Sequence, residues 1–157
     1  MGTGKTTIGK LLAETLDFTF VDTDQLIEEK YELTIPEYFK KYGEKSFRQQ
    51  ETEIARKLSS QESLVIGTGG GMMLNPENSN LLAKSGRIFC LYATAKEIYQ
   101  RISQDPGASR PLLAGNNPME RITTLLKKRK KGYNQFPQII TTGKHPEDIA
   151  QEIIQSL

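Results

Sequence analysis

The stretch MGTGKTTIGK at residues 1–10 is the part of the sequence on which the prediction of the fold depends. Gly4, Lys5 and Thr6 match the end of the phosphate-binding pattern G-x-x-x-x-G-K-S/T, in which a glycine-rich turn leads into a helix. The next apolar residues recur at helical spacing and predict a helix from Lys5 to about Leu16. A phosphate group would then meet backbone N–H groups and the positive end of that helix. The alternative is a glycine-rich tail that frays at the N-terminus.

Short apolar runs alternate with helical patterns along the rest of the chain. The pattern predicts strands over residues 18–21, 64–66, 88–92 and 138–141. It predicts further helices over residues 25–32, 35–42, 44–60, 78–84, 95–103, 118–134 and 146–156. Strands that alternate with helices form a parallel sheet with helices on both faces, and such sheets bind ligands at the carboxyl ends of their strands. We therefore expect an α/β fold with a single domain over residues 1–157.

Composition restricts the class of protein. The 157 residues include 25% charged and 36% hydrophobic residues, as in a globular domain with its own core. A net charge of +2 does not favour a nucleic-acid partner, and no apolar run is long enough to span a bilayer. The single cysteine, Cys90, lies in an apolar run, so we expect a buried thiol. We expect a cytoplasmic protein without nucleic-acid or membrane partners.

Two aspartates follow the predicted strand at residues 18–21. Side chains of a strand alternate between its faces, so Asp22 and Asp24 would point the same way if the strand continued. One carboxylate could then organise Mg²⁺ through a water molecule, and the other could accept a proton from an attacking hydroxyl. The alternative is structural: an Asx turn in which Asp24 caps the helix that starts at Gln25.

Three consecutive glycines, Gly69, Gly70 and Gly71, follow the predicted strand at residues 64–66. Glycine loses more backbone entropy on folding than any other residue, and a simple turn needs only one. The triplet therefore predicts that a ligand or another part of the backbone comes very close to it. The alternative is a floppy surface loop.

Three arginines, Arg48, Arg110 and Arg129, are candidates for binding an acid or a phosphoryl group. The guanidinium fork pairs with carboxylates and with phosphates through two hydrogen bonds. Spacing alone does not assign which arginine binds which anion. A solvated surface charge is the alternative for each of them, and the basic run at residues 127–131 could be an exposed helix face or a weak anion patch.

Taken together, and in the order in which they occur along the whole chain, these motifs resemble those of shikimate kinase. The resemblance is carried by residues 2–7, Asp22-Thr23-Asp24 with Ile27-Glu28, Gly43-Glu44 with Phe47-Arg48 and Glu51, Gly69-Gly70-Gly71, Arg110-Pro111-Leu112-Leu113, and Arg129 with Tyr133. It implies a P-loop kinase-like three-layer α/β/α fold with a parallel sheet and a substrate-binding subregion at about residues 24–52. It also implies phosphorylation of the 3-hydroxyl of shikimate to shikimate 3-phosphate in aromatic amino acid biosynthesis. ATP would be the co-substrate, Mg²⁺ would be the cofactor, and the protein would be a monomer.

On the nucleotide side, the resemblance implies that the glycine-rich loop holds the phosphates of ATP and that Lys5 is catalytic. Arg110, also catalytic, would reach the phosphates from a mobile lid at about residues 103–117 that keeps water out. Arg101 and Lys144 are weaker matches to positions near the adenine. The implied ATP-binding residues are Gly2, Thr3, Gly4, Lys5, Thr6, Thr7, Arg101, Arg110 and Lys144.

On the metal and acceptor side, the resemblance implies that Thr6 binds Mg²⁺ and that Asp22 positions it through water. Asp24 would bind hydroxyls of shikimate and is the candidate catalytic base. Arg48 and Arg129 would clamp the shikimate carboxylate. The implied substrate-binding residues are Asp24, Arg48, Gly69, Gly70, Gly71 and Arg129.

The start of the sequence departs from the family's pattern. In the family, a strand and a first glycine precede the loop, and that strand lies in the middle of the sheet, between the strands near Leu64 and Ile88. We therefore expect a sheet that lacks its first, central strand. Such a strand buries several apolar side chains, each worth about 1.5–3 kcal/mol, against a total stability of about 5–15 kcal/mol. Our hypothesis is that Met1 is an internal methionine of a longer product, and that the short form folds weakly and has poor activity.

Three other functions stay open. The runner-up is another small P-loop kinase, acting on gluconate or on a nucleoside monophosphate. The second is a non-catalytic module that binds anions or nucleic acid through residues 127–131, which the near-neutral net charge disfavours. The third is an inactive relative of the kinase.

Overall fold

The computed structural model describes residues 2–104 and 117–157, and the chain divides into two compact units. The first unit combines Met1–Ile8 with Phe89–Ser156, and the second combines Gly9–Ile88 with Leu157. Within the described ranges, no helix is both long enough and apolar enough to cross a bilayer.

The second unit is built on one pair of parallel strands. Its elements are α1 at Lys5–Leu16, whose first residues belong to the first unit, β1 at Thr19–Asp22, α2 at Thr23–Tyr31, α3 at Ile35–Leu58, β2 at Leu64–Gly67, a 3-10 turn at Met72–Leu74 and α4 at Pro76–Ala83. Strands β1 and β2 pair in parallel, from Thr19 opposite Leu64 to Asp22 opposite Gly67. Both strands therefore end at the same edge, where the chain continues into α2 and into the glycine triplet.

Local backbone chemistry sets the helices around this edge. Asp22 is the N-cap of α2, and its Oδ1 accepts the N–H groups of Asp24 and Gln25 at 3.0 and 3.4 Å. Helix α3 is interrupted at Gly43, whose φ of 77° and ψ of 169° are not helical. Glycine adopts this conformation without the steric cost that a Cβ would bring. The interruption separates the start of α3 from the part that carries Arg48.

The core of the second unit lies between α2 and α3. Ile27, Tyr38 and Phe47 are buried together, and the rings of Tyr38 and Phe47 meet edge to face with centroids 5.7 Å apart. Burial of each such side chain contributes about 1.5–3 kcal/mol. Because Phe47 directly precedes Arg48, its burial fixes the rotation of this turn of α3 and so the position of Arg48.

The first unit contains the other pair of parallel strands. Its elements are β3 at Cys90–Tyr92, α5 at Ala95–Ser103, α6 at Pro118–Tyr133, β4 at Gln138–Ile140 and α7 at Pro146–Ile154. Strands β3 and β4 pair from Cys90 opposite Gln138 to Tyr92 opposite Ile140. Buried residues form a core between the segment that follows β3 and the helices α5 and α6. They are Ala93, Ile98, Ile102 and Ile122. Cys90 is half-buried rather than buried, and burial raises the pKa of its thiol.

Most predicted elements are confirmed, with ends that differ by a few residues. The helices predicted at residues 35–42 and 44–60 are the two parts of α3 on either side of Gly43. The 3-10 turn after the glycine triplet was not predicted. The strand pairs are parallel as predicted, and the described strands form two separate ladders. The single domain and the lack of a first, central strand stay predictions.

Two expectations about the aspartates are wrong. Strand β1 ends at Asp22 and α2 begins at Thr23, so strand alternation does not direct Asp22 and Asp24 to one side. The cap of α2 is Asp22 rather than Asp24, which lies in the first turn of the helix. The helix begins earlier than predicted because the carboxylate of Asp22 already satisfies two of the N–H groups that a helix start exposes.

Candidate functional site

The loop before α1 has the backbone geometry of an anion-binding turn. Gly2 and Gly4 have positive φ angles of 63° and 88°, which glycine adopts without strain. The N–H of Ile8 donates to the carbonyl oxygen of Gly4 at 2.9 Å, within the first turn of the helix. The N–H groups of Lys5 and of the two threonines after it precede this bond, so they can be donated to an anion at the positive end of α1.

The side chains of this loop differ in exposure. Thr3 is buried, Lys5 is half-buried, and Thr6 and Thr7 are exposed. The exposed hydroxyls of Thr6 and Thr7 at the helix start are accessible to a ligand. A cation, a hydroxyl and backbone N–H groups thus occur together at one helix start, as a phosphate ligand requires.

Helix α5 supports this loop. A Cβ added at Gly2 would lie 3.1 Å from side-chain atoms of both Ile98 and Ile102, so the loop backbone packs directly on the helix. From the same helix, Arg101 places Nη1 3.4 Å from the carbonyl oxygen of Gly2. Its guanidinium also donates to Thr141, to the hydroxyl at 3.0 Å and to the carbonyl oxygen at 3.1 Å. Arg101 therefore contacts the loop before α1, and a contact with adenine stays a prediction.

Two further predicted cationic residues of the first unit contact side chains of helices. Lys144 forms an ion pair with Glu152 of α7. Arg129 on α6 is half-buried, and its Nη1 lies 3.3 Å from the hydroxyl of Tyr133 one turn later. Arg110 lies outside the described residues, as does most of the predicted lid. Their roles in binding stay predictions.

At the carboxyl ends of β1 and β2, the glycine triplet packs against two charged side chains. A Cβ added at Gly69 would lie 2.4 Å from Oδ1 of Asp24, and one added at Gly71 would lie 2.6 Å from Nη1 of Arg48. The backbone of Gly71 has an ordinary φ of −102° and ψ of −18°, so the lack of space and not the conformation requires glycine there. Gly70 is half-buried between them. The groups that approach the triplet are thus the side chains of two predicted site residues.

Arg48 is held in place by two carboxylates of its own helix. Its Nη1 donates to Oε2 of Glu51 at 2.7 Å, and its Nη2 donates to Oε1 of Glu44 at 3.1 Å. The side chain of Glu51 is only 1% exposed, whereas that of Arg48 is 35% exposed. Burial lowers the pKa of the Arg48 guanidinium, but Glu51 and Glu44 outweigh this effect and raise the pKa above its usual value. The guanidinium is therefore charged and oriented, with one side still open to an anion.

Two residues of this site received no role from the sequence. Glu51 follows Arg48 by three positions on a helix, a spacing at which side chains meet, so this partner could have been found. Thr23 lies between the two aspartates, and its hydroxyl accepts the N–H of Gly69 at 3.0 Å. Since 46 positions separate these two residues, no local pattern signals their contact.

Comparisons of the sequence with known proteins give one consistent result. The family model described as shikimate kinase matches residues 1–157. The shikimate kinase of Thermodesulfovibrio yellowstonii is 45% identical over 99% of this chain and 89% of its own length. The shikimate kinase of Enterococcus faecalis is 42% identical over 100% of this chain and 94% of its own length.

Solved structures agree with the sequence relatives. Shikimate kinase from Acinetobacter baumannii in complex with shikimate is similar with a TM-score of 0.89 and 39% identity, over 99% of this chain and 87% of that one. Shikimate kinase from Bacteroides thetaiotaomicron is similar with a TM-score of 0.89 and 30% identity, over 100% of this chain and 94% of that one. The fold is that of the P-loop kinases to which these structures belong, and the chain is a member of the shikimate kinase family.

Proposed function

We propose that this chain transfers the terminal phosphoryl group of ATP to the 3-hydroxyl of shikimate, which gives shikimate 3-phosphate. The observation that carries the proposal is the placement of Asp24 and Arg48 at the two ends of the glycine triplet. A hydroxylated acid requires a carboxylate that accepts hydrogen bonds from its hydroxyls and a guanidinium that pairs with its carboxylate. Membership of the shikimate kinase family supports the same reaction.

On the acceptor side, Asp24 binds hydroxyls of shikimate and is the candidate base for the 3-hydroxyl. Arg48 binds the shikimate carboxylate with the open side of its guanidinium, and Arg129 is the second residue that we propose for this carboxylate. The triplet from Gly69 to Gly71 lies between the side chains of Asp24 and Arg48, and we propose that its backbone contacts the acceptor as well. Phosphoryl transfer needs alignment more than covalent help, and these contacts supply the alignment.

On the nucleotide side, the N–H groups of residues 2–7 hold the phosphates, and Lys5 neutralises charge on the β- and γ-phosphates. Arg101 contacts the carbonyl oxygen of Gly2 in this loop, and we propose that it also lies near the adenine. Lys144 is the other residue proposed there, since an exposed ion pair such as its pair with Glu152 contributes only about 0–1 kcal/mol and is readily exchanged. Arg110, from the proposed lid, completes the positive charge around the phosphates.

Magnesium is the cofactor that we propose. Thr6 offers an exposed hydroxyl at the start of α1, and Asp22 offers a carboxylate of which only Oδ1 takes part in the cap of α2. These hard oxygen donors fit Mg²⁺, which keeps several water ligands and takes others from phosphates. When bound, the ion supplies positive charge to the phosphates during transfer.

The predicted layer arrangement, oligomeric state and location belong to the same proposal. A three-layer α/β/α kinase domain is supported by the two parallel strand pairs and their helices. A monomer in the cytoplasm is what the family resemblance and the single cysteine favour.

A panel of acceptors tests the proposed reaction. ADP release is measured with ATP and Mg²⁺ and with shikimate, gluconate, a nucleoside monophosphate or no acceptor. We expect turnover with shikimate at least about 10²-fold above the other acceptors. The open chain of gluconate does not hold its carboxylate and hydroxyls in the fixed arrangement of a ring, and a nucleoside monophosphate has no carboxylate for Arg48. No turnover with shikimate together with turnover on gluconate would contradict the proposal. Salt-sensitive binding to RNA without any ATP turnover would favour the non-catalytic alternative.

Replacing Glu51 by glutamine tests how Arg48 is held. Glu51→Gln keeps the shape of the side chain but removes the buried charge that orients the guanidinium. We expect the KM for shikimate to rise about tenfold, with a smaller change in kcat, because a hydrogen bond to a charged group contributes about 1.5–3 kcal/mol. Initial rates at varied shikimate and saturating ATP give both constants.

Glu53→Gln is the matched control on the same helix. The carboxylate of Glu53 is 55% exposed and lies 3.5 Å from the ammonium of Lys30. Exposed pairs of this kind contribute about 0–1 kcal/mol, so its KM for shikimate is expected to stay within about twofold of the wild-type value. Equal KM values for the Glu51 and Glu53 variants would contradict the role given to Glu51.

A further inference from the structure

Thr23 connects the two strand ends of the acceptor site. Its side chain is fully buried, and its hydroxyl oxygen accepts the N–H of Gly69 at 3.0 Å. The ladder of β1 and β2 ends with Asp22 opposite Gly67. The Thr23 hydroxyl therefore ties the two segments together beyond the point at which the strands stop pairing.

The far end of the glycine triplet is anchored as well. The N–H of Met72 donates to the carbonyl oxygen of Gly69 at 3.1 Å, a bond that spans the triplet just before the 3-10 turn begins. Asn78, which is 1% exposed, donates from Nδ2 to the carbonyl oxygen of Met72 at 3.0 Å. Three glycines in a row have unusual conformational freedom, and buried side chains restrain them at both ends, Thr23 at Gly69 and Asn78 at Met72.

The carboxylate of Asp24 packs tightly against the backbone of Gly69. An added Cβ at Gly69 would lie 2.4 Å from Oδ1 of Asp24. A shift of the Gly69 backbone towards α2 would therefore push the carboxylate away, and a shift in the other direction would open a gap beside it. The hydrogen bond from Gly69 to Thr23 fixes the backbone between these two displacements.

We propose that Thr23 is a positioning residue for the acceptor site, whose buried hydroxyl fixes Gly69 and thereby the place of the Asp24 carboxylate. The inference rests on the proposed function, since it takes the acceptor to be shikimate. Thr23 touches neither substrate in this role. It acts through the triplet and Asp24, so its loss affects the acceptor more than the nucleotide.

The variants Thr23→Val and Thr23→Ser separate the effect of the hydroxyl from the effect of the shape of the side chain. Valine has the same shape but leaves the buried N–H of Gly69 without an acceptor, and the backbone moves to find another. We expect Thr23→Val to raise the KM for shikimate about fivefold to twentyfold and to leave the KM for ATP within about twofold. Thr23→Ser keeps the hydroxyl and is expected to stay within about threefold of wild type for both substrates.

Thr123→Val is the control for the loss of a threonine hydroxyl. Among the contacts described, the hydroxyl of Thr123 donates only to the carbonyl oxygen of Met119 within α6.

If Thr23→Val does not fold, Thr23→Cys replaces it, since a thiol is a weak acceptor and retains part of the bond. The KM of Thr23→Cys for shikimate is then expected to be higher than that of Thr23→Ser and lower than about ten times the wild-type value. A wild-type KM in the valine or cysteine variant, an equal rise for both substrates, or no rescue by serine would overturn the role of Thr23.

Isothermal titration of shikimate without nucleotide separates this inference from the proposed function. The wild-type protein is expected to bind shikimate, and Thr23→Val is expected to bind it about fivefold to twentyfold more weakly, in line with its KM. Binding of equal strength in both would overturn the role of Thr23 and leave the proposed reaction intact. If the wild-type protein neither binds nor phosphorylates shikimate, the proposed function fails, and the role of Thr23 fails with it.

Discussion

Asp24→Asn is expected to lower kcat for shikimate phosphorylation by about 10²–10⁴-fold, the range for loss of a positioned acid or base. The amide keeps the size of the carboxylate but cannot take a proton from the 3-hydroxyl. The side chain lies against Gly69, where an added Cβ would be 2.4 Å from Oδ1, so asparagine is held in the same place. Rates of ADP release with both substrates saturating give the change in kcat.

The way in which the loss divides between kcat and KM distinguishes two roles of Asp24. Loss of a base lowers kcat and changes the KM for shikimate little. Loss of a group that only positions the hydroxyl raises this KM and lowers kcat less than about tenfold. Asp17→Asn is the control, because Asp17 is exposed and has a φ of 55°, which asparagine tolerates as well as aspartate. Wild-type values of both kcat and the KM for shikimate in Asp24→Asn would contradict both roles.

The fold could be predicted where the deciding interactions are local. The apolar spacing of α1 and the glycine that interrupts α3 at Gly43 act within a few residues, and both features were predicted. The start of α2 could not be placed, because Asp22 and Asp24 are both good capping residues. Which of them caps the helix depends on where β1 stops pairing with β2, and that is a contact between distant parts of the chain.

The same distinction applies to the site. The residue types of the acceptor site were predicted from motifs, and the pair of Arg48 and Glu51 could have been, since its spacing is helical. The bonds from Thr23 to Gly69 and from Arg101 to Gly2 join residues that are 46 and 99 positions apart. No periodic pattern encodes such contacts, because they follow from the packing of whole elements.

Gly71→Ala is expected to raise the KM for shikimate about 10–100-fold while the protein remains folded. The new Cβ would lie 2.6 Å from Nη1 of Arg48, so the guanidinium must move. A lost hydrogen bond between charged groups costs about 1.5–3 kcal/mol, and each 1.4 kcal/mol is a factor of about ten in binding. The moving group is the far end of a flexible side chain, so we expect cooperative unfolding to persist, with a melting temperature lowered by a few degrees because the pair of Arg48 with the buried Glu51 weakens. Initial rates and thermal unfolding measure the two effects separately.

Gly86→Ala separates the effect of the clash from the effect of replacing any glycine. A Cβ at Gly86 would meet only the carbonyl oxygen of Leu82, at an ordinary 3.6 Å. Its KM for shikimate is therefore expected to equal that of the wild type. If Gly71→Ala also left this KM unchanged, the triplet would not govern the position of Arg48, and crowding alone would not explain why glycine stands at residue 71. If Gly71→Ala instead lost its cooperative unfolding, the same glycine would be required by the fold, because Arg48 could not yield to the added methyl group.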